Sequence, residues 1–349
     1  MQKSLRQPYL VSIAVPVYNL DAHLPRCIES LVSQTYKNLE ILLIDNAATK
    51  ACLSICEQYA KQDKRVKIIH LSENVGPTGA RAAGITHAIG DFIGFCDSDD
   101  WFELDAVETL LNLYAQTGAE IVQGGVTYYR ENGTPLTVIP FTANTNLLHL
   151  NPEMFLNASY LYCWDKLYAR RLLEAGLQFD KTVTLAEDVD FAFHAIQLAN
   201  FAAFTPKNVY NYLLRKNSVS HTPDVSRFID VARIHKQFYE FFQKHQFKTL
   251  GTIKGRYYAA QCVLLMTILL YDKSRKFDNA LQKVLTELRQ HLKEIFIYRE
   301  MGIAGKIFIL FPLFLPDLAR KCFHLSCLYP VLHKQYMKRV YPLTTAQTN

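Results

Sequence analysis

Asp97 and Asp99 stand two residues apart, just past the apolar run Phe92–Phe95. In extended backbone, residues i and i+2 point to the same side. Both carboxylates would then face one point, a hard-oxygen donor set that suits Mg2+ or Mn2+ with phosphate oxygens and water completing the shell. No His or Cys is spaced to join them, which argues against zinc. The string Asp97-Ser98-Asp99-Asp100 also reads as a turn capping a helix that begins near Glu103.

A second acidic pair, Glu187-Asp188, lies in an apolar context ahead of Phe191 and Phe193. One of its carboxylates suits a general base toward an acceptor hydroxyl. The pair equally suits an N-cap plus first-turn acid of a helix beginning near Val189, where acids complement the dipole. Arg81 follows Gly76 and Gly79, where a loop enters a helix. It can neutralise a diphosphate, or it can be a solvated helix charge. Asp45 ends the run Leu39–Asp45. A carboxylate there can accept from a base N–H or a ribose hydroxyl, or cap a helix over 48–52. Tyr18, in the loop Pro16-Val17-Tyr18-Asn19, can cover a flat ring or lie free on the surface.

The elements that must position these residues alternate. Val11–Val17, Leu39–Asp45, Val66–His70, Phe92–Phe95 and Ala119–Val122 read as strands. Between them, Leu24, Ile28 and Leu31 recur at helical spacing behind Asp21 as an N-cap, and helices are expected over 50–62, 79–89 and 103–117. This βαβαβαβαβ pattern predicts a mixed, mostly parallel sheet flanked by helices, the α/β class. Ligands of such sheets bind beyond the carboxyl ends of the strands, and Pro16–Asn19, Asp45 and Asp97–Asp100 all fall at such ends. The Asp97–Asp99 pair follows the fourth strand, which favours its metal reading over the turn. No G-x-G-x-x-G follows the first strand and no Walker lysine loop is present, which excludes the common dinucleotide and P-loop sites.

The chain has 349 residues, half of them hydrophobic and 20% charged, with 38 Lys+Arg against 32 Asp+Glu. That excludes a disordered chain. The basic excess sits in residues 301–349, where Lys306, Arg320, Lys321, Lys334, Lys338 and Arg339 face Asp317 alone. A nucleic-acid binder would spread its charge over a fold or a recognition helix, so no nucleic acid is expected as partner. The apolar stretch Ile307–Leu315 with its basic flanks reads instead as a segment lying in the interface of an anionic membrane. A packed helical subdomain with a basic rim is the other reading. Tyr257–Tyr271 falls short of the roughly 20 residues a span needs and reads as a packed helix. The eight cysteines include no C-x-x-C pair and read as reduced core thiols, and the N-terminus has no signal-peptide pattern, so a cytoplasmic protein is expected. The expected organisation is a catalytic domain over 1–224, a helical subdomain over 225–300 and an amphipathic basic tail over 301–349.

VSIAVPVYN, LVSQTYKNLEILLID, SENVGPTGARAAGI and GDFIGFCDSDDWFELDAVE, followed by Trp164–Tyr168 and Glu187–Phe191, resemble in order and spacing the family 2 glycosyltransferases of the GT-A fold. The resemblance covers about residues 10–215. It implies inverting, metal-assisted transfer of a sugar from a nucleotide-sugar, most often UDP-linked, to a hydroxyl of a glycan or lipid-linked acceptor. It further implies a place in polysaccharide or lipopolysaccharide synthesis, to which the basic tail adds a place at the cytoplasmic face of the inner membrane. By position, Pro16 and Tyr18 would line the nucleoside, Asp45 would meet the base, Arg81 would stand near the diphosphate, Asp97 and Ser98 would contact the nucleotide-sugar, and Asp97 and Asp99 would hold Mn2+ or Mg2+. Asp188 would be the base with Glu187 beside it, and Trp164, Asp165 and Lys166 would line the acceptor side. The chain departs from the family's usual Asp-Asp-Gly-Ser at Asp45-Asn46-Ala47-Ala48, from Ala-Arg-Asn at Ala80-Arg81-Ala82, and from Trp-Asn-Lys at Trp164-Asp165-Lys166. Two alternatives compete: a nucleotidyltransferase, which would want a Gly- and Lys-rich loop after the first strand, and a non-catalytic nucleotide-sugar binder, which the softened Asp45–Ala48 stretch would suit.

Overall fold

The computed structural model describes residues 9–139, 147–149, 162–215, 225–248, 250–293 and 312–325. The chain divides into two compact units, Met1–Lys216 and Asn217–Asn349.

The first unit is built on strands β1 (Val11–Val17), β2 (Leu39–Asp45), β3 (Val66–His70) and β4 (Phe92–Phe95), which match the sequence expectation. All seven residues of β2 are buried, as they must be in a strand covered on both faces. The intervening helices are α1 (Leu24–Val32), α2 (Lys50–Gln62) and α3 (Gly76–His87). After the short β5 (Trp101–Phe102) come α4 (Ala106–Thr117), β6 (Ile121–Arg130), β7 (Pro135–Ile139), β8 (Leu147–His149), β9 (Lys166–Ala169), α5 (Arg170–Glu174), α6 (Glu187–Leu198) and β10 (Phe201–Leu214). The strand order is β3-β2-β1-β4-β9-β6-β10-β5, with β7 on β6 and β8 on β10.

The first four strands pair in parallel, and β6 pairs with β10 in parallel. The expected fifth strand of the alternation does not join β4. Strand β9 inserts between β4 and β6, antiparallel to both. The antiparallel ladders therefore carry a larger share of the mixed sheet than the alternation predicts.

Local boundaries differ too. Asp21 does not cap α1; His23 occupies that place without a side-chain cap bond, and a proline opens the first turn. The helix expected from 103 begins at Ala106, because Glu103 is drawn off to the Val209 carbonyl and to Asn208 and Asn211.

Helix α3 lies against β1 and β2. A Cβ on Gly84 would stand 2.5 Å from the Ala14 Cβ, so only glycine allows this approach. Gly84→Ala is expected to cost about 1–3 kcal/mol through overpacking, read as a lowered midpoint in chemical denaturation. Helix α6 is anchored by Phe191, which stacks on Phe179 at 4.1 Å and meets Phe95 and Tyr168 edge-on.

The second unit contains α7 (Val225–Lys244), α8 (Leu250–Tyr271), α9 (Asp278–Gln290) and α10 (Pro316–Leu325). Helix α8 is buried almost all round, from Ile253 to Leu270, as expected of a core helix. No helix among the described residues is long and apolar enough to cross a membrane. Most of the segment Ile307–Leu315 lies outside the described residues. The six described cysteine side chains are free and buried.

Candidate active site

Three strand ends of the first unit converge, as the sequence predicts. Where β1 leaves the sheet, Tyr18 is exposed and Asn19 takes a left-handed φ of +48°. Pro16 pairs in register with Ile44 within the β1–β2 ladder. The Asn19 side chain accepts from the Thr49 N–H at 3.2 Å, which links this loop to the one after β2.

Asp45 is buried. Its Oδ1 accepts the Ala48 N–H at 2.9 Å and its Oδ2 lies 2.9 Å from His70 Nδ1. Helix α2 is capped by Thr49 instead, whose hydroxyl accepts from the Cys52 N–H. Asn46 stands where the family has its second acid. It donates to the Asn74 side chain and the Gly76 carbonyl and accepts the Val75 N–H at 2.8 Å, ordering the loop that opens α3. Ala47 stands where the family has glycine, yet φ is +53°. An L-residue held there costs roughly 1–2 kcal/mol.

The Asp97–Asp100 segment is a tight turn, closed by the Asp100 N–H to the Asp97 carbonyl at 2.9 Å. The extended-backbone expectation is thereby corrected: the two acids do not reach for one partner. Asp97 Oδ1 accepts from Arg81 Nη2 at 2.6 Å, and Asp99 Oδ2 accepts from Arg215 Nε at 2.6 Å. Both acids keep partial exposure, at 24% and 17% of the side chain. Burial pushes the Asp99 carboxyl up, and the charge on Asp97 pushes it further. Two mutually repelling carboxylates on one turn form a hard donor set that fits a divalent cation. Among the described residues no cluster of three or more His, Cys, Asp or Glu ligands is assembled, so the remaining ligands would come from phosphate and water.

Ser98 is buried on this turn. Asp100 is turned inward. It accepts from the Leu213 N–H and from the Tyr210 hydroxyl, both at 2.7 Å, while the same hydroxyl accepts the Asp97 N–H. Arg26 donates to the Asp99 carbonyl and lies 3.6 Å over the Trp101 ring. The turn is therefore held from two sides, by β10 and by α1.

Arg81 is not a solvated helix charge. It is buried in α3, and its two terminal nitrogens each reach an acid at 2.6 Å, Asp97 on one side and Glu187 Oε1 on the other. Burial opposes its charge, but Asp97 and Glu187 hold its pKa well above the ordinary value. A second tie, from the Thr78 hydroxyl to the Val183 carbonyl at 2.6 Å, joins α3 to the segment leading into α6.

Glu187 and Asp188 open α6. Its N-cap is Ala186, left-handed at φ +64° and without a cap bond, so the acids act in the first turn rather than as the cap. Asp188 Oδ1 accepts the Val189 N–H at 2.8 Å. Burial pushes the Asp188 carboxyl up to about 7, Glu187 adds to the rise, and Arg81 opposes it.

Trp164, Asp165 and Lys166 are turned inward instead of lining an open cleft. Each is 3% exposed. Trp164 stacks between Tyr162 at 4.8 Å and Tyr210 at 4.5 Å. Asp165 pairs with Lys166 and accepts from Gln123 at 2.6 Å, while Lys166 also donates to the Tyr162 carbonyl. Burial pushes the Asp165 carboxyl up, and Lys166 pulls it back.

Arg215, Tyr210 and Asn46 are parts of the site that the sequence reading missed. Tyr210 comes from β10 and Arg215 follows its last residue, both more than a hundred residues after the turn they grip. Arg215 carries one local signal, a cation at the end of a long apolar strand.

A sheet core of parallel ladders whose strand ends gather acids, an arginine and an exposed tyrosine is the arrangement that the sequence resemblance implies for a GT-A fold. The sequence profile described as Glycosyl transferase family 2 matches residues 12–177. The glycosyltransferase GlyG of Streptococcus pneumoniae is 36% identical over 241 residues, covering 64% of this chain and 78% of GlyG. The chain belongs to glycosyl transferase family 2. It spans 64%, 31% and 62% of the lengths of three other curated glycosyltransferases that it matches. The fold is shared with S. aureus TarS solved with UDP-GlcNAc (TM-score 0.59, 20% identity, 86% of this chain and 90% of that one). It is shared also with the mannosyltransferase PcManGT of Pyrobaculum calidifontis solved with GDP-Man and Mn2+ (TM-score 0.54, 14% identity, 99% and 88%).

Proposed function

We propose that this chain transfers a hexosyl or N-acetylhexosaminyl group from a nucleotide-sugar, UDP-linked by preference, to a hydroxyl of a glycan or lipid-linked acceptor, with inversion. One observation carries the reading: the Arg81 guanidinium bridges Asp97 of the donor-side turn to Glu187 of α6, 2.6 Å from each. In this reading the leaving-group site and the pair of candidate bases lie on either side of that one guanidinium.

Tyr18 is free to cover the nucleoside beside Pro16, and Asp45 can accept from it if His70 yields. Arg81 stands by the diphosphate together with Ser98. Asp97 and Asp99 would hold Mn2+ or Mg2+, which when bound supplies positive charge against the departing diphosphate. Each acid gives one oxygen to its arginine, Asp97 Oδ1 to Arg81 and Asp99 Oδ2 to Arg215, so a metal would share that oxygen or take the other. Asp188 takes the acceptor hydroxyl proton, since a carboxyl near pH 7 suits a general base at neutral pH. Holding donor and acceptor in line contributes through pre-paid entropy. A place in cell-surface polysaccharide or lipopolysaccharide synthesis, at the cytoplasmic face of the inner membrane, completes the reading. It is supported by the family and by the basic C-terminal residues.

Thermal unfolding with UDP-sugars, with and without Mn2+, tests the donor side. Nucleotide-sugar is expected to raise the midpoint more with Mn2+ than without. Asp97→Asn and Asp99→Asn should each erase that difference. Equal midpoints in all three proteins would remove the metal from the reading. The product's anomeric configuration by NMR tests inversion: an α-linked donor should give a β-linked product, and retention would overturn the mechanism.

A further inference from the structure

We propose that the second unit docks on an anionic bilayer through one built patch: the outer stripe of α10 with its lead-in, and the turn between α8 and α9. Phe314, Leu315 and Leu318 are 58%, 52% and 49% exposed. Their neighbours Leu313 and Ala319 are fully buried, so the segment is seated by its inner side and bare on its outer one. Tyr271, at the end of α8, is also exposed. A cluster of large apolar side chains this bare marks a contact surface.

The turn after Tyr271 supplies charge. Lys273, Arg275 and Lys276 are exposed, and Lys321 is exposed on α10. The turn is rigid, because buried Asp272 accepts the Lys276 N–H at 3.0 Å and the Phe277 N–H at 2.8 Å. It is tied to α10 by Arg275 to Asp317 at 3.2 Å and by Arg320 to Asp278 at 2.8 Å. Asp272 and Asp278 of the turn and Asp317 of α10 are each engaged within the patch, Asp317 at the surface, while the lysines stay exposed.

Exposed apolar side chains beside exposed lysines match the interface of a bilayer with anionic headgroups, where each cation near the surface adds attraction. A second copy of the chain is a poorer fit. Two-fold pairing would bring the same lysines against each other.

Docking rests on the membrane placement proposed above and deepens it by naming the surface that makes it, and it does not depend on sugar transfer. The test is co-sedimentation of the full chain with phosphatidylcholine vesicles, with and without phosphatidylglycerol, over a range of NaCl. Wild type is expected to partition to the anionic vesicles only, less so as salt rises. The triple variant Phe314→Ser/Leu315→Ser/Leu318→Ser should lose at least about tenfold in partition. Lys273→Gln/Lys276→Gln/Lys321→Gln should lose about a hundredfold. All six sites are exposed, and circular dichroism of each variant should overlay wild type. Equal partition of wild type to neutral vesicles, or unchanged partition in both variants, would overturn the proposal. So would a concentration-dependent wild-type dimer that the apolar variant converts to monomer without any vesicle effect. A thermal shift with UDP-sugar on the same samples reports the donor site separately.

Discussion

Asp188→Asn is expected to bind nucleotide-sugar as wild type does and to lose transfer by about 10²–10⁴-fold in turnover, the usual worth of a positioned general base. Calorimetry of donor binding beside a transfer assay separates the two effects. The pH profile should carry the same signature. Burial and the neighbouring Glu187 raise the Asp188 carboxyl to about 7, so its basic form is lost as pH falls through 7. Turnover should fall about tenfold per pH unit below that point and level off above it. The stability effect has the opposite sense. A carboxyl that titrates higher in the folded than in the unfolded chain costs stability increasingly as pH rises from its unfolded value, and in full above its folded value. Asp188→Asn should therefore unfold at a higher temperature than wild type at pH 8, and the gain should vanish near pH 3. Wild-type turnover in the variant would remove Asp188 as the base.

The largest structural effect is expected at Arg81. Its guanidinium is buried and satisfies two acids that share its surroundings. Arg81→Gln leaves Asp97 and Glu187 facing each other's charge without a cation. Breaking a buried ion pair by removing one partner costs about 3–5 kcal/mol. Urea denaturation should show that loss as a lowered midpoint with an unchanged slope. Donor binding should fall as well, since the variant lacks the positive charge beside the diphosphate. Arg81→Lys should recover only part of either effect, because one ammonium cannot reproduce the planar fork that spans both acids.

Much of the first unit was legible because its signals are local. Leu39–Asp45 and Phe92–Phe95 are short apolar runs bounded by polar turns, and both became strands at the expected residues. The acids at their ends were legible for the same reason, since strand ends are where such sheets bind ligands. What failed was set by distant partners. Strand β9 entered beside β4 in a direction that no periodicity records. The turn at Asp97 is held by Tyr210 and Leu213 across more than a hundred residues. Trp164, Asp165 and Lys166 carried the family's spacing, but an aromatic stack and a buried ion pair drew them into the core. Asp21 looked like a cap, and the proline-initiated turn made one unnecessary.

The chain holds two tryptophans, and the fold has given them opposite surroundings. Trp164 is sealed between two tyrosines, while Trp101 lies beneath the Arg26 guanidinium, which also touches the Asp99 carbonyl. One indole thus emits from a dry interior one ring removed from the turn, and the other sits where occupancy of the turn would alter its quenching directly. Without any dye or engineered label, the ratio of blue to red fluorescence becomes a built-in optical gauge of whether that turn is filled.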